Sequence, residues 1–137
     1  MRTRVGIGDS DEPAASAYEK VGAEWFETLV ARFYAGVAED PLLRPLYVDE
    51  DPSLANAQRD LAEFLVQFFG GPTTYSDRKG HPRLRARHAP FSIGSAERDA
   101  WLHHMRSALE ATDGPDDVVA QVAAYVEHAA EFLRVHD

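Results

Sequence analysis

Four stretches of this chain carry apolar side chains at intervals of three and four, and three of the four end in a proline or a glycine-rich breaker. That spacing places the apolar groups on one face of a helix, and the breakers set how long each helix runs. The first stretch runs from 23 to about 40, with Phe26, Leu29, Val30, Phe33, Tyr34 and Val37 on one face and Pro41 beyond its end. The second, from 54 to 69, carries Leu54, Ala57, Leu61, Phe64, Leu65 and Phe68; Gly70-Gly71-Pro72 then provides a left-handed cap and a residue that cannot extend the helix. The third begins with Ser95 as N-cap, buries Trp101, Leu102, Met105, Ala108 and Leu109, and stops at Thr112-Asp113-Gly114-Pro115. The fourth, from 116 to 134, carries Val118, Val119, Val122, Tyr125, Val126, Ala129, Phe132 and Leu133. No segment alternates as a strand does. The expected fold is all-α, with four substantial helices and two short ones.

The short pieces fall between the long ones. One lies around 42 to 46, interrupted by Pro45, and leads to Tyr47 and an acidic turn. The other lies in Gly80-His81-Pro82-Arg83-Leu84-Arg85-Ala86-Arg87-His88-Ala89-Pro90-Phe91, where Pro82 suits a first helical turn and Pro90 forbids continuation past His88. Residues 72 to 79 show no periodicity and read as a loop, long for a compact bundle, in which Tyr75 is a positioned residue. Residues 1–16 read as a mobile extension and 17–137 as one domain, a size that supports a packed core.

Composition narrows the chemistry. The chain has no cysteine, which removes disulfides, thiolate zinc, iron–sulfur clusters and thioether-linked haem, so any metal must be held by histidine, carboxylate or tyrosinate. A formal charge of -9 argues against nucleic-acid binding. No apolar run is long enough to span a membrane and the opening Met1-Arg2-Thr3-Arg4 leads into no signal-like core, so a cytoplasmic protein is expected. Seven of the 14 Lys and Arg fall between 78 and 106, with only Glu97 and Asp99 against them. Such a local basic field calls for an anion.

Six histidines are candidates for metal binding. His136 and His128 read as terminal and polar-face residues, and His103 and His104 point about 100° apart on a helix, too far to share a metal. His88 would end a short helix, where a carbonyl near Leu84 can accept from one ring nitrogen and leave the other for a metal. From the local sequence, a satisfied structural histidine and a metal ligand both stay open.

Several segments together resemble a known family. They are Arg32-Phe33-Tyr34-Ala35-Gly36-Val37-Ala38-Glu39-Asp40-Pro41 with Leu46-Tyr47, Gly70-Gly71-Pro72 with Thr74-Tyr75-Ser76, the run from Gly80 to Phe91, and Glu97-Arg98-Asp99-Ala100-Trp101-Leu102. With a tryptophan thirteen residues after His88, the chain resembles the truncated haemoglobins of group II over about residues 18–134. The resemblance implies a globin-like two-over-two helical sandwich with a short proximal helix. It also implies a non-covalent haem b whose iron is held by His88.

By the same resemblance, Leu84, Phe91 and Ile93 line the proximal side, Phe64 and Met105 pack near the macrocycle, and Arg87, Tyr75 and His81 meet the propionates. Tyr34, Tyr47 and Trp101 face the ligand. Ala57, one turn before Leu61, stands where many globins place a distal histidine, and its small side chain opens a route past the helix. The position before Leu61, often basic in the family, is Asp60, which puts one propionate contact in question. The implied function is reversible binding of dioxygen, and of carbon monoxide or nitric oxide, with high affinity and slow release. The alternative is an enzyme performing nitric-oxide dioxygenation or peroxidase chemistry with a reductase partner. A homo-oligomer is compatible with either.

Overall fold

A computed structural model of the chain describes residues 15–47, 53–80 and 94–133. Among them all regular structure is helical: α1 (Ala17–Ala38), a 3-10 turn (Arg44–Tyr47), α2 (Ala55–Phe68), α3 (Thr74–Lys79), α4 (Ser95–Ala111) and α5 (Asp116–Leu133). Helix α1 packs on both α2 and α4, α4 packs on α5, and α3 lies on α2. The result is the two-over-two globin-like sandwich, with α1 and α2 against α4 and α5.

Helix α1 starts six residues before the first apolar repeat. Ser16 Oγ accepts from the Glu19 N–H at 3.1 Å and Glu19 Oε1 accepts from the Ser16 N–H at 2.8 Å, a reciprocal cap that nucleates the extra turn. The helix is interrupted at Gly22, whose φ is 78°. The Tyr18 N–H donates to the Phe69 carbonyl at 3.0 Å and ties this first turn to the end of α2. Further along, the Trp25 indole N–H donates to the Asp113 carbonyl at 2.8 Å, and Arg32 Nη1 meets both the Ala111 carbonyl and Thr112 Oγ1. Those bonds pin α1 to the turn between α4 and α5.

Helix α2 ends as its glycines require. Gly70, at φ 106°, follows the cap residue Phe69; its N–H donates to the Gln67 carbonyl, and the Gly71 N–H donates to the Val66 carbonyl at 2.8 Å. This is a Schellman closure with glycine in the position that disfavours a side chain. The apolar face of α2 differs from the expected one. Ala57, Phe64 and Leu65 are buried, joined by Ala62 and Val66, whereas Phe68 is 52% exposed and lies against Tyr125 with ring centroids 4.1 Å apart. Periodicity placed Phe68 in the core; its ring instead covers the edge of α5.

Residues 74–79 form helix α3 and not a loop. The pattern lacks apolar repeats because polar contacts hold the helix. The Ser76 N–H donates to Gln67 Oε1 at 2.9 Å and Gln67 Nε2 donates to Ser76 Oγ at 2.7 Å, while Tyr75 is buried edge-on against Phe64. Arg78 Nη2 reaches Asp60 Oδ1 at 2.7 Å and Glu63 Oε1 at 2.6 Å, and Lys79 Nζ lies 3.3 Å from Asp60 Oδ2. Helix α4 is capped by Gly94, one residue before the expected Ser95, because Glu97 Oε1 turns back to accept the Gly94 N–H at 2.9 Å.

Burial pushes the Asp60 carboxyl up, but hydrogen bonds from Arg78 and Lys79 outweigh it and hold the group below its ordinary 3.8. A depressed carboxyl stabilises the fold above its unfolded value and loses that contribution as pH falls through the folded one. Asp60→Asn is therefore expected to cost roughly 0.5–1 kcal/mol at pH 7. The difference should start to shrink as pH falls below the ordinary 3.8 and should vanish once the folded chain's carboxyl is protonated as well, as checked by urea melts at pH 7 and along a descending acid series.

Candidate functional site

Where the two helix layers meet beside the 3-10 turn, ten side chains enclose a cavity of about 50 Å³: Tyr34, Tyr47, Leu61, Phe64, Leu65, Trp101, Met105, Tyr125, Val126 and Ala129. It is large enough for a diatomic molecule. Helix α1 brings Tyr34 to it because that residue continues the buried stripe of Phe26, Val30 and Phe33. The chain then turns at Asp40, and the 3-10 turn swings Tyr47 across Tyr34, the rings 5.6 Å apart and nearly perpendicular. Helix α4 supplies Trp101 and, one turn later, Met105. Phe33 sits behind both walls, with its ring 4.9 Å from Tyr34 and 5.5 Å from Trp101.

Most of the lining is apolar, and the exceptions are the phenols of Tyr34, Tyr47 and Tyr125 and the Trp101 indole. Burial pushes the Tyr125 phenol up to about 12, so it keeps its proton at any physiological pH. A mostly apolar cavity with a few aromatic O–H and N–H groups suits a small ligand that gains partial negative charge.

The expected site residues fall into three groups. Tyr34, Tyr47, Leu61, Phe64, Trp101 and Met105 come together on the cavity wall. Ala57 and Tyr75 are buried but lie off that wall, Tyr75 against Phe64. His81, Leu84, Arg87, His88, Phe91 and Ile93 lie outside the described residues. Leu65, Tyr125, Val126 and Ala129 also line the cavity; of these, Tyr125 had a sequence signal, a lone phenol in a face of valines and alanines.

The basic island between 78 and 106 is less of a free field than its composition implies. Arg78 and Lys79 meet Asp60 and Glu63, Arg98 meets Asp99 and Glu131, and Arg106 meets Glu127. The positive charge beside Asp60 thus comes from α3. A wider groove of about 490 Å³ lies along another face of α2, near Glu27, Arg59 and Thr74. It is more open and gathers none of the expected residues, so the smaller aromatic cavity is the better site.

The family profile described as bacterial-like globin matches residues 16–133. The chain belongs to the bacterial-like globins. A group 2 truncated hemoglobin from Bacillus subtilis, YjbI, is 43% identical over 93 residues, 68% of each chain. A thermostable hemoglobin from the actinobacterium Thermobifida fusca superimposes with a TM-score of 0.82 at 48% identity, covering 87% of this chain and 96% of that one. A truncated oxygen-avid haemoglobin from Bacillus subtilis gives 0.79 at 35%, covering 88% and 99%. The fold is thus that of a group II truncated haemoglobin, and the cofactor of this globin is haem b.

The cavity fits one side of such a group. Leu61, Phe64, Leu65 and Met105 offer a broad apolar wall to a flat ring, and the phenols and indole converge on the same void. Among the described residues no helix is long and apolar enough to cross a membrane, and no cluster of three or more histidine and carboxylate side chains could hold a metal.

Proposed function

We propose that this globin binds dioxygen reversibly, with high affinity and slow release, at a haem iron held by His88, and that Tyr34, Tyr47 and Trp101 donate hydrogen bonds to the ligand. The observation that carries the reading is the convergence of those three side chains on one small, otherwise apolar cavity. Bound haem would supply a ferrous iron able to take a diatomic ligand, which gains partial negative charge there. The chain does the rest. A hydroxyl or indole N–H aimed at that charge stabilises the occupied site, and the apolar wall keeps water from competing for the donors.

Two such bonds at about 1–2 kcal/mol each would raise affinity by roughly 30-fold to 1000-fold. That magnitude favours retention over delivery, and the oxygen-avid relative is in keeping with it. The first test is the visible spectrum of the purified chain with hemin, reduced, under oxygen and under carbon monoxide. A Soret band that shifts with each gas is expected, and its absence would end the reading. Trp101→Phe keeps an aromatic ring beside Phe33, though a smaller one, and deletes the N–H. It should speed oxygen release by about 5-fold to 30-fold, and an unchanged rate in stopped flow would mean that the indole does not touch the ligand. Sustained nitric-oxide consumption with a reductase, faster than haem loss, would replace binding by catalysis.

A further inference from the structure

Between Tyr34 and Tyr47 the chain makes a corner, and one residue organises it. Asp40 donates its backbone N–H to the Val37 carbonyl at 3.1 Å and accepts the Arg44 N–H on its own carbonyl at 2.8 Å, while its side-chain Oδ1 accepts the Leu42 N–H at 2.8 Å. The other carboxylate oxygen leaves the corner altogether. Oδ2 lies 2.7 Å from His104 Nε2 on α4, with side chains only 17% and 19% exposed. This hydrogen bond comes first among the influences that hold the Asp40 carboxyl below its usual range. His104 follows Trp101 by one turn and is the neighbour of Met105, so the bond ties the segment carrying the two tyrosines to the part of α4 that carries Trp101 and Met105.

The space for that bond is built into α1. Gly36 stands in the last turn of α1, where glycine is a poorer helix former than alanine. A Cβ there would come within 2.4 Å of His104 Nδ1, so the missing side chain lets the ring reach Asp40. His103, the adjacent imidazole, is exposed, its ring 5.3 Å from that of His104, and is not the ring that meets Asp40.

We propose that Asp40 and His104 are positioning residues for the ligand cavity, fixing the distance between the Tyr34–Tyr47 pair and Trp101 by clamping their two carriers together. Neither residue lines the cavity. They act by setting where the donors stand, which is a demanding condition because a hydrogen bond weakens steeply with distance and angle. The consequence for function rests on the ligand-binding reading above; the clamp itself does not.

The test uses the full chain. His104→Leu removes the bond, whereas His104→Gln offers Asp40 an amide N–H from a similar reach. In the carbon monoxide complex, the C–O stretch reports donation to the ligand. It should move in His104→Leu and return towards the wild-type band in His104→Gln. Oxygen release should rise by about 3-fold to 10-fold in the leucine variant. That gain should shrink when Trp101→Phe is already present, since the two act on one bond.

A lowered melting temperature with an unchanged C–O band and release rate, or a gain that adds fully to that of Trp101→Phe, would overturn the proposal and leave the pair as a plain fastening. Should His104→Leu fail to fold, Gly36→Ala, which favours the helix but crowds the ring, is expected to produce the same shift, and no shift would count against the clamp. If the wild-type chain takes up no hemin, the ligand-binding reading has failed. The clamp is then read from the Trp101 indole resonance of the cofactor-free protein, which should move in His104→Leu and recover in His104→Gln; a resonance unmoved in His104→Leu would overturn it.

Discussion

Replacing His88 by glycine is expected to abolish the spectrum of an imidazole-ligated haem, and added imidazole is expected to restore it. The expectation rests on the family resemblance carried by the run between Pro82 and Pro90. Among the described residues that line the cavity there is no histidine. His104 is engaged by Asp40, and His103 and His128 are exposed. The family resemblance assigns the imidazole to His88, which stands two residues ahead of a proline that a helix cannot pass. Glycine leaves a gap the size of the lost side chain, which free imidazole fills. Retention of the wild-type spectrum would move the assignment to His81, and loss without rescue would point to collapse of the segment.

The other large effect concerns the wall that the aromatic donors share. Phe33 is fully buried and touches Tyr34 and Trp101 from behind. Truncation to alanine removes apolar contact and leaves a cavity, at a cost of about 3–5 kcal/mol. Urea denaturation should show the loss as a lower midpoint with an unchanged slope. The same variant should release oxygen faster than wild type, because Trp101 then has space to retreat from the ligand. A stable Phe33→Ala would mean that neighbouring side chains collapse into the gap, and its release rate would then report where they went.

Much of this architecture could be read in the chain, and the parts that could not share a cause. The three-and-four spacing located α1, α2, α4 and α5, since burial of one face is what holds those helices. It missed α3, whose hold on α2 is polar and whose partners Asp60, Glu63 and Gln67 lie 9 to 18 residues back in the chain. The opening turn of α1 had a signal in Ser16 and Glu19 that apolar periodicity does not register. Periodicity also tells which face is buried, not which buried residue borders a void. Tyr34, Tyr47 and Trp101 were singled out through family resemblance, whereas Leu65, Val126 and Ala129 looked like ordinary core. The Asp40–His104 contact spans 64 positions and joins two residues whose neighbours give no hint of each other.

The cavity draws its wall from α1, the 3-10 turn, α2, α4 and α5, so no single hairpin or helix pair contains it. Whatever occupies such a place can do so only when the whole chain has assembled. Its affinity is then added, through mass action, to the free energy that separates the native from the unfolded chain. Occupancy and folding are in that sense one equilibrium, and a substitution far from the void that loosens any of the five contributors will be felt as weaker retention before it is seen as unfolding.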